Sequence, residues 1–305
     1  MIINSGYLHA DYARSLSYVG TPIELTRSKG WILKREIPGS AYFDGVGCYP
    51  LFACGDWNGL ETDLDSIGGS LVSLAVVTDP FGHYNQSTLL NDFKDIARPY
   101  KEHYIIDLHQ RPDKFVSGHH LRNARNAAKT LTVEVCANPL AHLDDWTRLY
   151  DTLIERHGIT GVAKFSREAF ALQMGVPGMV AFRAMQATVT VGMLLWYCQG
   201  ETGYYHLGAY SPEGYDAKAS FVLFWKAIEH FKGLGLNWLS LGAGAGTWGD
   251  KNDGLSRFKR GWATGTRTAY FCGRIFEPAI YQDLTLSRKI GQTDYFPAYR
   301  AIDGK

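Results

Sequence analysis

The stretch from Tyr204 to Phe271 constrains this 305-residue chain more than any other part of it. It predicts a strand over Tyr204–Tyr210, a tight loop at Ser211-Pro212-Glu213-Gly214-Tyr215, a helix over Ala219–Leu234 and a strand over Trp238–Leu241. A glycine-rich loop (Gly242–Gly254), a short basic helix (Leu255–Ala263) and a last strand (Thr266–Phe271) follow. A strand–helix–strand unit gathers its loops at one sheet edge, where ligands bind. The short helix carries Phe258-Lys259, a cation beside an aromatic ring, and a cation held at such an edge can stabilise an oxyanion as it develops.

The length allows one large domain or two lobes of about 100–200 residues each. Apolar residues at 46%, with 13% aromatics, supply a real core. A net charge of +1 argues against strong nonspecific nucleic-acid binding, which needs a basic field, but it leaves room for a local basic groove. The five cysteines (Cys48, Cys54, Cys136, Cys198, Cys272) are an odd number scattered through apolar runs, so they read as buried free thiols. With no CxxC pair or compact Cys/His cluster, no metal is expected. The opening MIINSGYLHADYARS lacks the basic and apolar regions of a signal peptide. No apolar run reaches the roughly 18–20 residues of a membrane span. A soluble, reducing, cytoplasmic setting is therefore expected, with the chain a monomer.

Earlier in the chain, Trp31–Ile37, Tyr42–Ala53 and Leu71–Thr78 read as strands, and Ser87–Ala97 has helical apolar spacing. His103–Leu108 is a strand, Gly118–Lys129 a basic helix and Leu131–Val135 another strand. Leu143–Arg156 and Ser166–Met174 are helices, and Gly178–Met185 and Thr188–Tyr197 are strands leading into Tyr204–Tyr210. The two halves share a grammar. Asp79-Pro80-Phe81-Gly82 leads from strand to helix as Ser211-Pro212-Glu213-Gly214 does, and Arg122–Lys129 takes the slot that Arg257–Ala263 fills later. A duplicated α/β unit follows, with lobes at residues 1–137 and 138–305.

A three-strand meander followed by helix, strand, helix and strand resembles the GNAT acyltransferase fold. Two such lobes in one chain resemble the Fem-type transferases, which draw on aminoacyl-tRNA. The residues that carry the likeness are Tyr205–Tyr210, the helix from Phe221 to Gly235, Leu239–Gly242, the Phe-Lys helix at Gly254–Gly261 and the basic helix at Arg122–Ala127. The likeness implies two lobes of mixed α/β sheet facing a central cleft. No heptad pattern supports a coiled-coil arm. One departure is informative. GNAT enzymes that use CoA cradle its pyrophosphate on a glycine-rich loop opening the central helix. Here that loop holds Glu213 and Asp216, anions beside where a pyrophosphate would sit, which favours a donor held another way, such as aminoacyl-tRNA, with no cofactor.

The resemblance implies that Lys259 faces the donor carbonyl; by residue type alone it reads equally as a solvated lysine on a basic helix. Phe258 then anchors the helix or walls the site. Arg257 and Arg260 beside it, and Arg122 and Arg125 one turn apart on their own helix, could pair with phosphates of a tRNA end or of a nucleotide-linked acceptor, or form solvated faces. Tyr210 and Tyr215 bracket the loop at the sheet edge and could bond substrate or pack there. Asp79, at the edge of the first lobe, could take the amine's proton or simply start a turn. His206, among apolar strand neighbours, reads as structural. Gly242-Ala243-Gly244-Ala245-Gly246 does not run into a helix as a dinucleotide fingerprint must, so it reads as a loop over the site, with Trp248 as a lid residue. The leading expectation is an aminoacyltransferase that forms an amide on a free amine of a cell-wall precursor, a peptide or a peptide natural product. An acyl-CoA or acyl-carrier N-acyltransferase, or a catalytically inactive binding module, is the alternative.

Overall fold

The computed structural model describes residues 4–245 and 253–301. The chain is a mixed α/β protein that divides into two compact units. The smaller is Tyr12–Tyr100 with Thr268–Lys305, and the larger is Lys101–Arg267 with Met1–Asp11. The expected boundary near Ala137-Asn138-Pro139 falls inside the larger unit, so neither unit is one continuous half of the chain.

After α1 (Ala10–Arg14), the smaller unit opens with a meander of β1 (Thr21–Leu25), β2 (Gly30–Glu36) and β3 (Phe43–Gly47), antiparallel throughout. The helix α2 (Leu60–Ile67) leads to β4 (Ser73–Val77), which pairs parallel to β3. The helix α3 (Gln86–Phe93) is capped by Asn85, whose side chain accepts from Thr88 N–H. It stops at Lys94, which sits at φ +64°, so Ile96 starts the next strand rather than ending this helix. Leu25, Ile32, Phe52, Trp57, Leu60, Leu74, Val76 and Phe93 form one core cluster here.

The strand β5 (Ile96–Asp107) follows α3 but pairs through Tyr104–Asp107 inside the larger unit. There α4 (Pro112–Phe115), α5 (Gly118–Ala127), β6 (Thr132–Val135), α6 (Leu143–His157) and α7 (Arg167–Gly175) precede a second meander. That meander is β7 (Met179–Gln186), β8 (Val189–Gln199) and β9 (Thr202–Tyr210), antiparallel like the first. The elements α8 (Pro212–Asp216), α9 (Ala219–Gly233), β10 (Trp238–Gly242), α10 (Gly254–Arg260) and β11 (Gly265–Ile275) follow, and β10 pairs parallel to β9. Beyond Thr268, β11 pairs antiparallel with β4 in the smaller unit, and α11 (Pro278–Ser287) lies after it. The strand order in the larger unit is β5-β10-β9-β8-β7-β6, and in the smaller β1-β2-β3-β4-β11.

Apolar residues cover both faces of the larger sheet, which explains why β8 reads as a near-continuous apolar run. On one face α5 and α9 contribute Ala124, Ala127, Leu223, Phe224, Ala227 and Phe231 to a core with Ile106, Leu194, Trp196 and Leu239. On the other, Trp146 and Tyr150 of α6 and Phe170 of α7 pack ring on ring. Tyr197 reaches that layer and donates to the Gln173 carbonyl.

The repeat is present, at a different offset from the expected one. Both units run meander, helix, a strand parallel to the third, helix, strand. The counterpart of the loop at Ser211 is therefore the segment between β3 and α2, and the counterpart of α10 is α3, not the helix at Arg122. Asp79 follows β4, so it matches the end of β10. The short elements β1 and α2 carry too few periodic residues to register in the sequence, and missing them shifted the alignment by one strand–helix pair. Each final strand serves the other unit's sheet, and this exchange defeats a cut at one position.

Candidate active site

Strands β9 and β10 pair only through Thr202–Tyr204 and Trp238–Ser240. Beyond Tyr204, β9 carries a register shift against β8, and β10 shifts against β5 between Ser240 and Gly242. Irregularities of this kind re-aim side chains and end pairing next to functional sites. At this divergence Gly208 stands on β9. A Cβ there would lie 2.4 Å from the Tyr205 hydroxyl and 3.2 Å from that of Tyr210, so two phenols converge over a residue with no side chain.

Lys259, on α10, reaches the same place. Its side chain is only 5% exposed. Nζ donates to the Ala243 carbonyl at 2.6 Å and lies 5.5 Å from the centre of the Tyr205 ring. Gly242 lets the chain bend there. It has φ +73°, and a Cβ would come 3.2 Å from Nζ. Asp253 caps α10 by accepting from Ser256 N–H at 2.9 Å. Burial pushes the Lys259 pKa down to about 7; the Asp253 carboxylate opposes that shift and Lys101 adds to it. A cation that titrates near neutrality beside a strand divergence can stabilise a developing oxyanion, or lose its proton.

Phe258 points the other way. Its ring packs among His120, Phe221, Phe224 and Trp262, and it anchors α10 to the core. His120 Nε2 donates to the Phe258 carbonyl at 2.9 Å, and Ser117 N–H donates to Gly261, which ties α5 to α10. Arg122 and Arg125 on α5, and Arg257 and Arg260 on α10, are exposed. The Tyr210 ring is buried 5.3 Å from that of Tyr215, and the Arg156 guanidinium stacks 4.2 Å from the Tyr215 ring centre.

Asp79 belongs to the smaller unit. It is buried, and its carboxylate accepts from Phe81 N–H at 2.9 Å in the manner of a turn start. Trp248 lies outside the described residues. His206 is structural as expected. It is buried between the Tyr7 hydroxyl and the Gln173 side chain, and burial takes its pKa down to about 3.

Three features escaped the sequence reading. Tyr205 carried no signal beyond strand alternation, which the register shift overrides. His103 stood at the start of a predicted strand, directly after Lys101 and Glu102, where a polar residue draws no notice. The third is a network in which Lys218 Nζ donates to Asn123 Oδ1 at 3.0 Å and Asn123 Nδ2 lies 2.8 Å from His119 Nε2, beside the start of α9. The expected tight loop after Tyr210 is a helical turn, α8, capped by Ser211. Glu213 and Asp216 are exposed on it.

Among the described residues, Glu134, Cys136 and His142 hold ligand atoms within 4.8 Å of one another. This is a compact Cys/His grouping that the sequence reading did not find. The Arg183 guanidinium lies among them, 2.8 Å from Glu134 and 3.3 Å from His142 Nδ1, so a fixed cation already neutralises the carboxylate. All five cysteines are free thiols. No helix among the described residues is long and apolar enough to cross a membrane.

Residues 118–260 match the acetyltransferase (GNAT) domain family. No curated protein matches the chain. The fold is similar to that of FemX, at TM-score 0.66 and 15% identity over 90% of this chain and 93% of the other. It is also similar to a C-terminal DUF2156 domain from Agrobacterium fabrum, at TM-score 0.64 and 14% identity, covering 93% of this chain and 92% of that one. L-PGS from Bacillus licheniformis gives TM-score 0.58 at 13% identity, over 93% and 96%. Lys259 and the β9–β10 divergence both fall within the segment, residues 118–260, that matches the acetyltransferase (GNAT) domain, and the chain as a whole is similar in fold to FemX.

Proposed function

We propose that the protein transfers an aminoacyl group from aminoacyl-tRNA to a free amine, forming an amide. The observation that carries this reading is Lys259, a buried ammonium at the divergence of β9 and β10 inside the acyltransferase domain. Aminolysis of an ester passes through a tetrahedral oxyanion, and a preorganised cation in a dry site is worth several kcal/mol there. The acceptor is an amine on a cell-wall precursor, a peptide or a peptide natural product. The structural likeness to FemX and L-PGS is likeness of fold, and it favours aminoacyl chemistry only as background.

The donor follows from charge. Where a pyrophosphate cradle would open the central helix, α8 presents Glu213 and Asp216 to solvent. Gly214 is packed so that a Cβ would lie 1.9 Å from the Val191 carbonyl, which leaves that turn pinned to β8. The exposed arginines of α5 and α10 supply positive charge for a phosphate backbone. Incubation with mixed radiolabelled aminoacyl-tRNAs and an amine, with and without RNase, tests the donor. Calorimetry with acetyl-CoA tests the rival. Micromolar acetyl-CoA binding that depends on Pro212–Lys218 would reverse the assignment.

A further inference from the structure

His103 lies on β5, one residue before Tyr104, whose register partner is Gly242. The next residue after Gly242 is Ala243, the carbonyl to which Lys259 donates. His103 is 7% exposed, and its Nδ1 is buried without a hydrogen-bond partner among the described residues. Such an atom is costly to bury and calls for an explanation. The burial of Trp146, Trp196 and Trp262 leaves their Nε1 atoms in the same state, but those are large apolar anchors that bring one polar atom with them. His103 has no such excuse, since any apolar β-former would fill a strand position better.

We propose that His103 positions the acceptor amine, its Nδ1 lone pair taking a hydrogen bond from the nucleophilic nitrogen. The proposal rests on the amide-forming reading. Lys259 already supplies a donor for the carbonyl oxygen, and the complementary need is a neutral acceptor that fixes the amine without trapping it as a salt. The groups around His103 keep it in that form. Burial pushes its pKa down to about 3, and the charges of Lys259 and Lys101 push in the same direction. Alternation along β5 puts His103 on the face opposite Tyr104 and Ile106, which belong to the core under α9. The amine therefore approaches from the face of β5 that points away from the core under α9.

Two measurements decide the matter. The first is nitrogen NMR of histidine-labelled protein, with His103→Leu to assign the resonance and glycinamide as the amine. The ring should stay neutral with Nδ1 unprotonated from pH 5 to 8, and the Nδ1 resonance should move as glycinamide is added. A protonated Nδ1, or a resonance that never moves, overturns the proposal. The second is single-turnover transfer from mixed aminoacyl-tRNA to glycinamide. His103→Leu should slow it about tenfold or more, and His103→Asn, whose amide oxygen reaches the Nδ1 position, should recover it to within about threefold. Equal losses in both variants, or none, overturn the positioning role. If the wild-type protein makes no amide from aminoacyl-tRNA, the donor assignment fails, and the NMR result still decides for or against His103.

Discussion

At the residue scale, Lys259 combines two properties that rarely coincide, full burial and a charge on a short helix. Lys259→Met keeps the stem and removes the ammonium. Transfer should fall by about 10²–10³, the loss of roughly 3–4 kcal/mol of transition-state stabilisation. Stability at neutral pH should change little. The bond to Ala243 is lost, but so is a desolvated charge, and the balance is within about 2 kcal/mol. The lowered pKa carries two further consequences. The rate should fall as pH rises through about 7, where the ammonium loses its proton, in single-turnover profiles. Stability runs the other way. A lysine with a depressed folded pKa contributes stability that is complete above about 10.5 and is lost as pH falls through about 7. Between those values the wild type should gain stability relative to Lys259→Met in denaturant titrations, and parallel curves would rule out the depressed pKa. Lys259 itself was legible because a Phe-Lys pair on a basic helix after a glycine-rich loop is a local pattern. The placement of His103 and Tyr205 near it was not, because that depends on where β9 and β10 part.

At the scale of elements, most of the larger unit was legible. The boundaries of β7, β8, β9, α9 and β10 fall within about two residues of the expected ones, because long runs of apolar periodicity or alternation dominate there. The short pieces were not. Pro212–Asp216 was expected as a loop, yet Ser211 caps it and it folds as a helical turn against β8. That docking makes a sharp prediction. Gly214→Ala would place a Cβ 1.9 Å from the Val191 carbonyl, a backbone atom that cannot step aside. The cost should reach about 3 kcal/mol, the upper range for overpacking, read as a lowered urea midpoint with unchanged slope. A neutral result would mean that α8 is loosely held. Arg122 and Arg125 lie on the exposed face of α5 while His120, Asn123, Ala124 and Ala127 face inward, so helical spacing foretold the stripe but not its tie to α10 through His120.

At the scale of the whole molecule, the duplication was visible in element order but the division was not. Strand β5 follows α3 of the smaller unit and completes the larger sheet, and β11 follows α10 of the larger unit and pairs in the smaller. Periodicity reports that a strand exists, not which sheet it joins. A fragment spanning 138–305 lacks β5, α5 and β6, so β10 loses its outer neighbour and the core under α9 loses Ile106, Ala124 and Ala127. It should show no cooperative thermal transition, whereas a cooperative one would restore the boundary near Ala137. Whether this fold carries out aminoacyl transfer is tested most directly by label transfer under single-turnover conditions. Wild type and Lys259→Met would each be given mixed radiolabelled aminoacyl-tRNA and an amine, with RNase-treated donor as the control. The wild type should give a labelled amide that disappears with RNase and drops by about 10²-fold or more in a folded Lys259→Met. Equal labelling by both proteins, or amide formation that ignores RNase and requires acetyl-CoA, would contradict it.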